Sequence, residues 1–236
     1  MKKLLAILII LMIVSIGCKE QNGNNDPPTT TVKPPVEDIV PQPVFADYGK
    51  LVLEKAKEYS FVREIKNQDN RSPEIDAFHD YAGLPYGNPW CLMFVNYMWK
   101  ETLDPYGLAP YTKTARVSHL YKYALKNKYL YTVKFDKALA YGIQQAEPGD
   151  MVIWLKNYTK DIIVNDGNPS GHVGFIVEEI EPGKFKTIEG NTSVGTAGSQ
   201  RDGDGVFTRT RTINLTAGFR IEALVKPLYP EKEVIE

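Results

Sequence analysis

The sequence changes texture at Glu147-Pro148-Gly149-Asp150, and that change narrows the folds open to the chain. Before it, apolar residues recur at helical spacing. After it come short β-rich runs, MVIWLK, HVGFIVEEIE, KFKTIEGN, VFTRTRTI and GFRIEALVKP, each of strand length. Upstream, DYGKLVLEKAKEYSFVREIKN sets Leu51, Leu53, Ala56, Tyr59 and Val62 in a stripe among charges and predicts a first helix. PWCLMFVNYMWKE predicts a second and TKTARVSHLYKYALKN a third, with a loop rich in Asp, Asn, Pro and Gly running up to Asn88. Helices first and antiparallel strands after describe an α+β domain. No internal repeat is visible.

The first 18 residues, MKKLLAILIILMIVSIGC, hold two lysines, an apolar run from Leu4 to Val14, then small residues. That run is too short to span a bilayer and has the layout of a secretory signal. Its end, SIGC, resembles the lipobox of bacterial lipoproteins, which implies cleavage before Cys18 and lipidation of that cysteine. The expected location is therefore the cell envelope, on a membrane through a lipid anchor. Residues 19–46 carry six of the sixteen prolines with Asn and Thr and no helical or strand period, so they read as a semi-extended linker. This leaves 47–230 as one domain with enough chain for a real core, and 231–236 as a tail. Net charge is −1 and the isoelectric point about 6.3, which gives no basic surface for nucleic acid. A monomer is expected.

The chain has only two cysteines. If Cys18 carries lipid, Cys91 is the one thiol of the mature chain and no intramolecular disulfide can form. Exported proteins usually use cysteines in pairs, so a lone thiol suggests chemistry, although buried free cysteine is also common. The local sequence decides between the two. In Asn88-Pro89-Trp90-Cys91, Asn is a good N-cap and Pro suits the first helical position, which puts Cys91 in the first turn. There a thiol meets the positive end of the helix dipole and free backbone N–H groups, an arrangement that favours the thiolate. Cys91 thus reads as a nucleophile.

A thiolate of this kind needs a base, and the chain offers three histidines. His79, in IDAFHDYAG, reads as a loop-packing residue and His119, in RVSHLYKYAL, as a surface or packing residue on a helix. His172 opens the run GHVGFIVEE directly after a loop, between glycines that permit close approach, and is the preferred base. The base must in turn be oriented by a carboxylate or amide. The strand FKTIEGNTS offers Glu189 and Asn191, which the alternation of a strand places on one side with Ile188 on the other. Either could hold the imidazole.

Taken in order, PWCLMFV, PGDMVIW, GHVGFIVE and TIEGNTS resemble a CHAP domain, the cysteine, histidine-dependent amidohydrolase/peptidase family of the papain-like clan; the later DGDGVFTRTR resembles a subset of it. The resemblance covers roughly Asp47 to Pro230. It implies N-terminal helices packed on a central antiparallel sheet, and cleavage of peptidoglycan amide bonds, either between N-acetylmuramic acid and L-alanine or within the stem peptide or cross-bridge. It also implies Cys91 as nucleophile, His172 as general base and then acid, Glu189 as the orienting residue and Asn191 as a further polar site residue. By analogy the Cys91 N–H would be one oxyanion donor. Trp90, beside the nucleophile, is a candidate substrate contact. Some phage members carry an acidic calcium loop before the cysteine. Here that region holds only Glu74, Asp76 and Asp80, and Arg201–Gly205 lacks the remaining ligands of an EF-hand, so no metal and no other cofactor is expected. An inactive cell-wall binding module and a thioester-based acyltransferase are the alternative functions.

Overall fold

The computed structural model describes residues 45–67, 69–108, 113–127, 131–135, 146–156, 170–181, 184–194, 203–212 and 219–227, all within one compact unit, Val40–Glu236. The signal segment with Cys18, the linker up to residue 44 and the C-terminal tail lie outside the described residues.

Helix α1, Phe45–Glu58, starts two residues before the expected boundary of the domain at residue 47. Its buried stripe is Tyr48, Val52, Leu53 and Ala56, at helical spacing, whereas Leu51 is exposed. The helix is shorter than its periodicity predicts. Tyr59 and Ser60 close onto the carbonyls of Ala56 and Lys57, three residues back, and the chain then turns to pair with a strand. Helix α2, Pro73–Ala82, occupies the stretch expected to be loop. Its start carries a full set of signals: Ser72 accepts from the Ile75 N–H at 3.2 Å, proline follows, and Glu74 and Asp76 lie in the first turn. Gly83, at φ 68°, ends it in the left-handed conformation that favours glycine.

Helix α3, Cys91–Leu103, is buried on nearly every side and continues into a single 3-10 turn, Asp104–Tyr106. Only Tyr97, Lys100 and Glu101 are partly exposed, on one side, and a helix so enclosed belongs at the centre of a domain. Helix α4, Val117–Lys126, buries Val117, Leu120, Tyr121 and Ala124.

The strands are β1 Tyr131–Phe135, β2 Met151–Lys156, β3 Gly171–Glu181, β4 Lys184–Thr192, β5 Gly205–Thr212 and β6 Phe219–Pro227. They form one antiparallel sheet in the order β1-β6-β2-β3-β4-β5. Five coincide with the runs read from the sequence; β1, an edge strand, was not expected. The α+β architecture is as the sequence predicts.

Side-chain alternation splits the sheet into two faces. Met151, Ile153, Leu155, Val173, Phe175, Ile188, Val206, Ala223 and Val225 join the four helices in the main core. There Phe94 and Trp99 of α3 meet Phe175 edge-on, with ring centroids 6.4 and 6.1 Å apart. Val152, Trp154, Ile176, Phe185 and Leu224 form a smaller cluster on the other face. At the start of β5, the Val206 N–H donates to Val62 and the Glu64 N–H to Asp204, which ties the segment after α1 to the far end of the sheet.

Candidate active site

The segment between α2 and α3 is pinned at several points, and it aims the start of α3. The His79 imidazole is fully buried, with Nδ1 2.8 Å from the Ile75 carbonyl and Nε2 3.0 Å from the Asn88 carbonyl. The Asn88 side chain donates to the Pro85 carbonyl at 2.8 Å, so it closes the preceding turn and does not cap the helix. Trp90 is the N-cap residue, and the cap has no side-chain hydrogen bond. Its indole N–H donates to Glu64 at 3.1 Å and its ring packs 5.8 Å from Phe78. Trp90, the candidate substrate contact, is wholly buried and anchors the helix start from inside. Cys91 is consequently the first residue of α3, a free thiol 7% exposed, at the positive end of the helix.

On the sheet, His172 is the second residue of β3, at the strand end beside a cleft of about 740 Å³. Cys91 and Asn191 line that cleft, as do Asn88, Lys113, Arg116 and His119. The imidazole hydrogen-bonds to Glu189, and the Cys91 thiol is the other neighbour that favours its protonated form. Nε2 is the nitrogen facing Glu189, 2.9 Å from Oε2, and Nδ1 is buried. Three residues that the sequence separates by up to 98 positions (91 to 189) thus form one row.

Glu189 and His172 are 0% and 1% exposed, so the pair is desolvated and its hydrogen bonds carry more weight than in water. Burial acts to lower the His172 pKa, but the interactions with Cys91 and Glu189 outweigh it and push the pKa up to about 9. Burial acts to raise the Glu189 pKa, but donors from Arg211 and then His172 hold it down to about 2. Glu189 is therefore a carboxylate at neutral pH.

Two glycines make this row possible. A Cβ at Gly174, two residues after His172 on the same face, would stand 2.5 Å from Glu189 Cγ, so the missing side chain is the space through which Glu189 reaches the imidazole. A Cβ at Gly190 would stand 2.7 Å from Phe94 Cβ and 2.8 Å from Trp90, so the start of α3 lies directly on β4.

Glu189 and Asn191 do not share a role through simple alternation. The β4–β5 register shifts between Glu189 and Thr192, and Asn191 has φ 52°, in the left-handed region that asparagine tolerates better than most residues. Glu189 turns to His172 while Asn191 faces the cleft. His119 is exposed on α4 and lines the cleft; neither it nor His79 contacts Cys91 in any recorded bond among the described residues. No group of three or more His, Cys, Asp or Glu side chains among the described residues is placed to hold a metal.

The sequence reading did not reach Arg211, Thr187 or Trp154. Arg211 Nε donates to Glu189 Oε1 at 2.8 Å and its Nη2 donates to Oε2, while the Thr187 hydroxyl donates to Oε1 at 2.5 Å. Trp154 pairs with His172 across β2 and β3, with rings 5.7 Å apart at 36°. The one available signal was the alternation Phe207, Arg209, Arg211 in β5, which repeats arginine on a half-buried face.

Residues 83–191 match the family model of the CHAP domain, a span that holds Cys91, His172, Glu189 and Asn191 and stops before β5. No curated protein and no solved structure matches the chain.

Proposed function

The chain is a CHAP-domain protein, of a family commonly composed of peptidoglycan amidases and peptidases, and from that premise we propose that it hydrolyses amide bonds of peptidoglycan through a thioester on Cys91. The observation that carries the reading is the buried row Cys91–His172–Glu189 at the edge of a cleft. The Cys91 thiolate attacks the amide carbonyl, forming a C–S bond and an oxyanion beside the Cys91 N–H. The C–N bond breaks as the His172 imidazolium gives its proton to the leaving amine. Neutral His172 then takes a proton from water, hydroxide adds to the thioester, and the C–S bond breaks to return the Cys91 thiolate and the imidazolium. Glu189 holds Nε2, and so keeps Nδ1 toward the reacting atoms.

The cleft supports a peptide-side substrate. Lys113, Arg116 and His119 line it, and the described lining residues include no carboxylate. Stem peptides present free carboxylates to such a wall, whether the bond cut joins N-acetylmuramic acid to L-alanine or lies within the stem or cross-bridge. The lipid anchor on Cys18, and the envelope location it implies, belong to the same proposal and are tested by comparing palmitate labelling of the wild type and Cys18→Ala.

The deciding experiment is digestion of purified peptidoglycan with mass analysis of the fragments, whose new termini identify the bond. Wild type is expected to release fragments. Cys91→Ala is expected to lose roughly three or more orders of magnitude of activity with unchanged circular dichroism. Equal activity of the two proteins would sink the nucleophile assignment.

A further inference from the structure

The hydrogen bonds of Glu189 point past the row that the family match covers, to β5. Each carboxylate oxygen takes two donors: Oε1 from Arg211 Nε at 2.8 Å and Thr187 Oγ1 at 2.5 Å, Oε2 from Arg211 Nη2 and from His172 Nε2 at 2.9 Å. The acceptor capacity of the carboxylate is thereby filled, in one orientation. Arg211 lies across from Phe185 in the β4–β5 ladder and reaches Glu189 diagonally, with its side chain 16% exposed. Its guanidinium carbon is 5.6 Å from the Trp154 ring centroid, and that same indole lies 5.7 Å from the imidazole, so one flat side chain bears on both ends of the Arg211–Glu189–His172 line.

We propose that Arg211 is a positioning residue of the active site: by gripping both oxygens of Glu189 it fixes the carboxylate that orients the His172 imidazole toward Cys91. This rests on the reading of Cys91 and His172 as a nucleophile–base pair. Charge supports it independently of geometry. With Cys91 as thiolate and His172 as imidazolium, the row Cys91, His172, Glu189, Arg211 alternates negative and positive and sums to zero. Without Arg211 the row itself would carry a net negative charge, met only by the field of Arg209, which is bonded to the Ser193 carbonyl and not to Glu189, and Glu189 would lose the first of the interactions that hold it ionised against burial. Only arginine offers the planar fork that meets two carboxylate oxygens at once; lysine supplies charge without the fork.

The test uses alkylation of Cys91 by iodoacetamide, which needs no peptidoglycan, as a function of pH from 4 to 10 in the full chain, beside hydrolysis of peptidoglycan. Arg211→Met and Arg211→Lys are compared with wild type, with folding followed by circular dichroism and thermal unfolding. Glu189 in Arg211→Met should protonate at higher pH, so its acidic limb of alkylation should move upward and the rate near pH 5 should fall about tenfold or more. Arg211→Lys should restore much of that limb while turnover of peptidoglycan stays well below wild type. A purely structural role would lower the unfolding temperature and leave the alkylation profile of the folded protein unchanged, which overturns the proposal. If Arg211→Met does not fold, the lysine variant decides: wild-type turnover there overturns it. An ordinary-thiol profile in the wild type would instead refute the nucleophile reading itself, which distinguishes the two failures.

Discussion

At the scale of single residues, the site depends as much on what is missing as on what is present. Gly174 matters because nothing projects from it: a methyl group there would sit 2.5 Å from Glu189 Cγ and 3.0 Å from the Ile188 carbonyl. Gly174→Ala is expected to displace Glu189, with a destabilisation of about 1–3 kcal/mol from overpacking. Its hydrolytic activity should drop further than that stability loss explains, read as turnover at temperatures where the variant remains folded. Wild-type turnover in a folded Gly174→Ala would show that Glu189 needs no such passage. His172→Ala should cost about 10²–10⁴-fold in hydrolysis, the range for a removed general base. Cys91, His172 and Glu189 were legible as candidates because each sits at a position with a local signature: a helix start, a strand mouth between glycines, a polar pair at a strand end. Trp90 had no such signature. Next to Cys91 in sequence, it is turned inward by its bond to Glu64 and its contact with Phe78, both distant in the chain.

At the scale of elements, α2 and the turn after it are what hold Cys91 in place. α2 was legible in principle, since Ser72, Pro73, Glu74 and Gly83 are start and stop signals, but the loop-forming composition around them masked a helix of only ten residues. Ser72→Ala removes the cap that accepts from Ile75, and is expected to cost about 1 kcal/mol. In a domain of this size that is a fall of roughly 2–4 °C in unfolding temperature. The bonds of His79 to the Ile75 and Asn88 carbonyls do not involve the Ser72 hydroxyl, so alkylation of Cys91 should change little while the domain is folded; a large change would place α2 within the chemistry itself. Strand β1 escaped the reading because YTVKF lies on the edge of the sheet and follows α4 by only a few residues, so its pairing with β6 is a matter of sheet order.

At the scale of the whole molecule, the buried row links activity to stability through pH. The His172 pKa is raised from an ordinary 6.5 to about 9, so its interactions stabilise the folded state fully below pH 6.5 and are lost as pH rises through about 9. The Glu189 pKa is lowered to about 2, so its contribution is present above the ordinary carboxyl range and is lost as pH falls toward 2. The wild type is therefore expected to lose thermal stability between pH 6.5 and 9, a decline that His172→Gln should largely remove. Parallel curves for the two proteins would contradict the assigned direction. What the amino-acid sequence determined by itself was everything encoded within about ten residues: helical and strand periods, hence the α+β class, and the helix start and strand mouth on which Cys91 and His172 stand. What only the tertiary structure decided was which side chains meet: Glu189 rather than Asn191 on the imidazole, Arg211 behind it, Lys113 and Arg116 along the cleft. The reason is physical. Those meetings depend on strand order, on a register shift beside Asn191 and on side chains reaching across the ladder, and no local pattern carries that information.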